Sequence, residues 1–130
     1  MPKSIRSRRK REVFQTFLKT YGLLALKALA ALAFIGAGSM KLIGNPDMIA
    51  VFDAVGVGQW FRYVTGLIEI GSAVLLFVPG MQLIGAALLG ATMVGAILAH
   101  LFILGPSFVP ALVLLVIVSI IAYAHRPGTA

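Results

Sequence analysis

Four of the ionisable side chains in or beside the apolar runs could share one site: Lys41, Arg62, Glu69 and His100. Glu69 is the sharpest of them. It is the only acidic residue inside a long apolar segment, Trp60-Phe61-Arg62-Tyr63-Val64-Thr65-Gly66-Leu67-Ile68-Glu69-Ile70-Gly71-Ser72-Ala73-Val74-Leu75-Leu76-Phe77. A carboxyl group in hydrocarbon is costly unless it is paired, hydrogen-bonded or protonated, so it marks a functional site or a deliberate helix contact. At 1.5 Å per residue, Glu69 lies about 13 Å below Trp60. Helical side chains lean toward the N-terminus of their own helix. The Glu69 carboxyl is therefore expected to point back toward Thr65 and Gly66, where the absent side chain of Gly66 leaves room. Arg62 is two turns further on and leans the same way, which argues against a direct Arg62–Glu69 pair. His100, on an antiparallel segment, leans toward the level of Glu69, so packing of the two helices would bring a Glu69–His100 pair or water bridge within reach. Lys41 closes the end of the first apolar segment and adds positive potential.

These residues define a partly wet pocket that would relay protons or bind a polar head group. Blander readings stand beside it. Glu69 serves equally as a helix–helix hydrogen bond, Arg62 as an interfacial phosphate anchor, and His100 as a packed histidine. One histidine and one carboxylate are too few to hold zinc, and His125 lies too far away to complete a haem site, so no metal is expected. No hydrolase triad, phosphate loop or nucleotide fingerprint is present.

The elements that must position these groups follow from composition. The chain has 130 residues, 60% hydrophobic and 12% charged, with a mean hydropathy of +1.01. A soluble domain carries about 25% charged residues. Such a chain cannot cover its surface with polar groups, and a bilayer is the expected solvent. The reading is all-α: a four-transmembrane-helix bundle with a short interfacial helix between helices 1 and 2. A basic cytoplasmic arm is expected at residues 1–19, helical from about Arg11, then a membrane domain at 20–124 and a cytoplasmic tail at 125–130. The spans are expected at about 20–40, 60–78, 82–104 and 108–124. Asn45 caps the short helix with Pro46 at its first position, and Gly56 and Gly58 end it. Pro79-Gly80 and Gly105-Pro106 are breaks. The ladder Ala87, Ala91, Gly95 and Ala99, together with Gly66, is expected to pack helices closely. The fourth span, poor in small residues, is expected at the lipid-facing periphery.

Net charge is +7, and Lys3, Arg6, Arg8, Arg9, Lys10 and Arg11 concentrate it in the first eleven residues. Because apolar segments follow, this arm reads as a juxtamembrane tail that attracts anionic lipid and not nucleic acid. With Lys19 and Arg126 it places both termini in the cytoplasm. Trp60, Tyr63 and Phe108 form one aromatic belt, and Tyr21 and Tyr123 the other. Lys27 snorkels toward the head groups. The arm is too long for the n-region of a cleaved signal peptide. The absence of cysteine removes disulfide and thiolate chemistry.

The order of several pieces resembles the DoxX-like family of small four-helix bacterial membrane proteins. These are Ala37-Gly38-Ser39-Met40-Lys41-Leu42, the stretch Met48 to Gly56, Arg62, Gly66, Glu69 and Ile70, Leu75-Leu76 and Pro79, Gly85 and Ala86, and Ala96 and His100. The resemblance covers about residues 23–124. It implies a four-helix membrane bundle in the bacterial inner membrane and a link to quinones, since family members include subunits of a thiosulfate:quinone oxidoreductase. On that basis Glu69, His100, Arg62, Lys41 and Thr65 are candidates for binding quinone or another small amphipathic ligand. The chain would be a membrane subunit of an oxidoreductase system, partnered by a membrane or cytoplasmic subunit or by copies of itself. No independent catalytic motif and no cofactor other than quinone is indicated. Two alternatives are a non-catalytic membrane assembly factor or scaffold and a small proton-coupled transporter.

Overall fold

The computed structural model describes residues 2–105 and 107–127. Those residues are all-α, with no strand among them: α1 (Lys3–Ile43), α2 (Pro46–Val55), α3 (Gln59–Leu75), α4 (Gln82–Ala99), a π-helical turn (His100–Leu104) and α5 (Val109–Ala124). Helices α1, α3, α4 and α5 close a four-helix bundle. Contacts run α1 to α3, α3 to α4, α4 to α5 and α5 back to α1, while α2 packs across the end against α3, α1 and the π-helical turn.

Helix α1 begins at Lys3, well before the expected Arg11, because nothing from Lys3 to Ile43 breaks it: no proline interrupts the run. Residues 2–22 are exposed and Leu23 is the first to touch the bundle. The bundle portion, residues 23–43, is about 31 Å long at 1.5 Å per residue. That matches the roughly 30 Å hydrocarbon thickness of a bilayer. Two helical stretches, α1 and Gln82–Leu104, are long and apolar enough to cross a membrane.

The turns follow local chemistry. Gly44 ends α1 in the left-handed conformation (φ 73°), which frees the chain to reverse into α2. The Asn45 side chain accepts a hydrogen bond from the Asp47 amide at 3.0 Å, Pro46 occupies the first turn, and Gly56 (φ 81°) closes α2. The expected cap and stop of the short helix are both present. Asn45→Ala should destabilise α2 by about 1 kcal/mol. Hydrogen exchange of α2 amides should then quicken about fivefold while α3 and α4 amides stay unchanged. Gly80 (φ 80°) turns the chain between α3 and α4, and Gly105 (φ 79°) ends the π-helical turn. Pro106, expected to share in that second break, and residues 128–130 of the expected tail lie outside the described residues.

The core is small and tight: Ala30, Phe34, Ala73, Leu76, Ala86, Leu89, Val118 and Ile121 are almost fully buried. Outside it, large apolar side chains face outward, among them Leu32, Leu67, Val74, Leu98, Phe102 and Val116. Water would penalise that surface and lipid would not.

Two expectations about packing are corrected. Ala87, Ala91 and Gly95 face outward, a Cβ added at Gly95 would meet nothing within 4 Å, and Ala99 is only half-buried. The face of α4 that packs carries Gly85, Ala86, Leu89 and Met93 instead. The two sets are offset by two residues, about half a helical turn at 3.6 residues per turn, which spacing alone does not resolve. The fourth segment is also less peripheral than expected: α5 contacts both α4 and α1, burying Ala111, Val118 and Ile121.

Candidate functional site

The site forms where α1 ends beside the middle of α3. Gly38 and Gly66 meet there backbone to backbone. A Cβ at Gly66 would lie 2.9 Å from the Gly38 carbonyl oxygen, and a Cβ at Gly38 would lie 2.8 Å from the Gly66 carbonyl oxygen. This mutual absence of side chains brings the two helix axes together. Lys41 lies one turn beyond Gly38, and Glu69 lies one turn beyond Gly66 in the opposite direction along the bundle. Because α1 and α3 are antiparallel, the N-terminal lean of helical side chains tilts Lys41 and Glu69 toward each other.

The outcome is a buried ion pair. Lys41 Nζ lies 3.0 Å from Glu69 Oε1 and donates a hydrogen bond to Oε2 at 3.1 Å. Glu69 is 1% exposed, whereas the Lys41 side chain keeps 14% exposure. The ionic partner of Glu69 is Lys41, a pairing that the sequence reading did not single out. The lean that aimed Glu69 at Thr65 also aims Lys41 down at Glu69, a signal carried by the same rule but applied to one partner only.

Arg62 is 4% exposed and, as expected, does not pair with Glu69. Its Nη1 donates to the Lys41 carbonyl and its Nε donates to Gln59 Oε1 at 2.7 Å. The Lys41 carbonyl belongs to the last turn of α1, where carbonyls lack helical partners, so Arg62 satisfies a helix end that would otherwise be orphaned. The guanidinium also stacks over the Tyr63 ring, 4.3 Å from its centroid. Gln59 continues the network, donating from Nε2 to Asp53 Oδ1 at 2.7 Å and to the Ile49 carbonyl at 3.0 Å. A chain of polar contacts thus runs from Asp53 on α2 through Gln59 and Arg62 to Lys41 and Glu69. Asp53 and Gln59 were not singled out from sequence; both lie in or beside the connection, where polar residues are ordinary.

Thr65 is half-buried and donates its hydroxyl to the Phe61 carbonyl at 2.8 Å. His100 is half-buried and begins the π-helical turn, which packs against α2. A π-helical turn widens the helix and re-aims the residues it contains, and such turns recur at functional sites. Helical periodicity gave no sign of it. The described residues contain no group of three or more histidine, cysteine or carboxylate side chains able to hold a metal ion.

The DoxX-like family model matches residues 25–122, and the chain belongs to that family. Family membership and the two membrane-length apolar helices mark it as a membrane protein. No curated protein matches the chain, and no solved structure does.

Proposed function

We propose that the chain spans the bacterial inner membrane four times, with both termini in the cytoplasm. In this reading it binds quinone or another small amphipathic molecule by its polar head at Lys41, as the membrane subunit of an oxidoreductase system. Helices α3 and α5, with 17 and 16 residues, approach membrane length once the turns that flank them are counted. The basic arm then lies on the cytoplasmic side, drawn to anionic lipid.

The observation that carries this reading is the unfinished coordination of Lys41. An ammonium group has three N–H donors. The two Glu69 oxygens occupy at most two of them, and the side chain still reaches the surface of the bundle. A quinone carbonyl oxygen is an acceptor that needs such a donor. Glu69 would hold the ammonium in place, Arg62 would fix the backbone it hangs from, and His100 and Thr65 are the remaining polar groups for the same head. The apolar tail would lie along the outward-facing side chains.

Thermal unfolding of the purified protein tests this. A short-chain quinone should raise the Tm of the wild type and leave Lys41→Gln unmoved. Equal shifts in both, or none in the wild type, would contradict it.

A second reading, a non-catalytic assembly factor, is favoured by the intrachain commitments of Glu69 and Arg62 and by the outward stripe of Ala87, Ala91 and Gly95. In that case crosslinking from α4 would recover one abundant membrane partner.

A further inference from the structure

Residues 3–22 of α1 stand outside the bundle, and their side chains follow a pattern that the site above does not use. Lys10, Phe14, Phe17, Tyr21, Leu24 and Ala28 recur at alternating spacings of four and three residues, which sets them on one face of the helix, and all are exposed. Lys3 and Arg6 continue the same spacing outward. Such alternation is the seam pattern of helices wound against each other. The seam points away from the face that enters the core, which carries Leu26, Ala30 and Phe34. Val13 and Leu18 flank it, more than half exposed like Phe14, Phe17 and Tyr21, and the Phe17 and Tyr21 rings lie 4.6 Å apart, centroid to centroid. A shallow groove of about 510 Å³ runs along it, walled by Arg9, Lys10, Val13, Phe14 and Phe17.

Distance separates most of this face from lipid. The helix is unbroken from Lys3 to Ile43, and its bundle portion begins at Leu23. With that portion in the bilayer, Phe14 stands about 14 Å beyond it, Lys10 about 20 Å and Lys3 about 30 Å, at 1.5 Å per residue. The head-group layer on one side of a bilayer is about 5–8 Å deep, and charges are screened over about 8 Å at physiological salt. The anionic lipid that draws the arm to the cytoplasmic side therefore meets Lys19, about 6 Å out. Phe14 stands in water, and Lys10, Arg6 and Lys3 stand beyond the reach of the lipid charge. Exposed apolar side chains gathered on one face in water mark an interaction surface. A second copy would stand parallel in the same membrane and set Lys3 against Lys3 and Lys10 against Lys10. Residues 3–19 hold seven lysines and arginines against one acid, Glu12, so charge selects a partner of the opposite sign.

We propose that this face of α1 docks an acidic amphipathic helix of a second protein on the cytoplasmic side of the membrane. The apolar side chains of that helix lie over Phe14, Phe17 and Tyr21, close to the bilayer. Its carboxylates lie farther out, against Lys3, Arg6 and Lys10. The order along α1, aromatic near the membrane and basic beyond it, fixes the direction in which the partner's own apolar and acidic residues must follow each other. Docking here requires no quinone at Lys41, which lies at the other end of α1.

The test uses the full-length protein in nanodiscs and, as probe, a fluorescein-tagged synthetic helical peptide. The peptide has leucines at alternating spacings of three and four and glutamates in line with them at one end. Anisotropy should show saturable binding to the wild type in phosphatidylcholine. Phe14→Gln with Phe17→Gln keeps helix propensity and should weaken binding about tenfold or more, as expected for two aromatic anchors. Lys3→Glu, Arg6→Glu and Lys10→Glu together should abolish it and transfer binding to a twin peptide with lysine in place of glutamate. These side chains are all exposed, so the bundle is left intact. The chain has no cysteine, so Ser7→Cys takes a single nitroxide far out on the arm. That label should remain in water when phosphatidylglycerol replaces part of the lipid. A label that enters the bilayer interface gives this face to lipid and overturns the proposal. So does the absence of saturable peptide binding, binding unchanged by the phenylalanine substitutions, or a lysine peptide that does not bind the reversed arm.

Discussion

Glu69→Ala should lose about 3–5 kcal/mol of stability, the cost of leaving one member of a buried ion pair alone. The carboxylate is 1% exposed and Lys41 is its ionic partner at 3.0 Å, so its removal leaves a largely buried ammonium without its counter-charge. Lys41→Met should be comparably harmful, because it leaves a buried carboxylate that must either remain desolvated or take up a proton. The double variant Lys41→Met, Glu69→Leu should recover most of the loss. Replacing both partners with apolar groups of similar volume removes the desolvation penalty along with the attraction, and such replacements are often neutral. Equilibrium unfolding in mixed detergent, read by circular dichroism, supplies the four corners of the cycle. A coupling near zero would mean that the pair does not hold α1 to α3.

Gly66→Val should be more disruptive than any substitution on the outward faces. Its Cβ alone would lie 2.9 Å from the Gly38 carbonyl oxygen and 3.2 Å from Lys41 Cβ and from Leu42 Cγ. The first of these is backbone in the middle of a helix and cannot swing aside. Overpacking of this kind costs about 1–3 kcal/mol and occasionally more. Here the helix separation it forces also pulls Lys41 from Glu69, so the cost should reach the top of that range. Gly95→Val, whose Cβ would meet nothing within 4 Å, is the control and should change Tm little. Comparable losses in the two variants would contradict the assignment of the α1–α3 contact.

Much of this arrangement is legible from residue type and spacing, because the forces that set it are local. Asn45, Pro46 and Gly56 delimit α2 through capping chemistry within three or four residues of each helix end. Pro79 and Gly80 mark the turn after α3 for the same reason. Glu69 stands out because its desolvation is a property of its own segment. What spacing leaves open are choices between neighbouring helices. The stripe Ala87, Ala91, Gly95 and the stripe Gly85, Ala86, Leu89, Met93 share one helix, and only the shape of α3 and α5 selects the second. The partner of Glu69 is of the same kind. His100 and Lys41 both lean to its level, and the close approach of Gly38 to Gly66 decides for Lys41. The early start of α1 and the π-helical turn at His100 are backbone outcomes that a hydrophobic pattern does not encode.

We propose that Lys41, held by Glu69, receives the polar head of a quinone or similar amphipathic molecule, and the fluorescence of Trp60 offers the most direct test. Trp60 is the single tryptophan of the chain, at the start of α3 and two and a half turns from Glu69. Quinones quench indole fluorescence at short range, so a titration of Trp60 emission with a short-chain quinone reports binding directly. The informative comparison is the wild type against Lys41→Met, Glu69→Leu, which should fold without the polar pair. Saturable quenching in the wild type and only linear, collisional quenching in the double variant is the predicted result. Saturable quenching of equal midpoint in both would show that the Lys41–Glu69 pair does not hold the quinone.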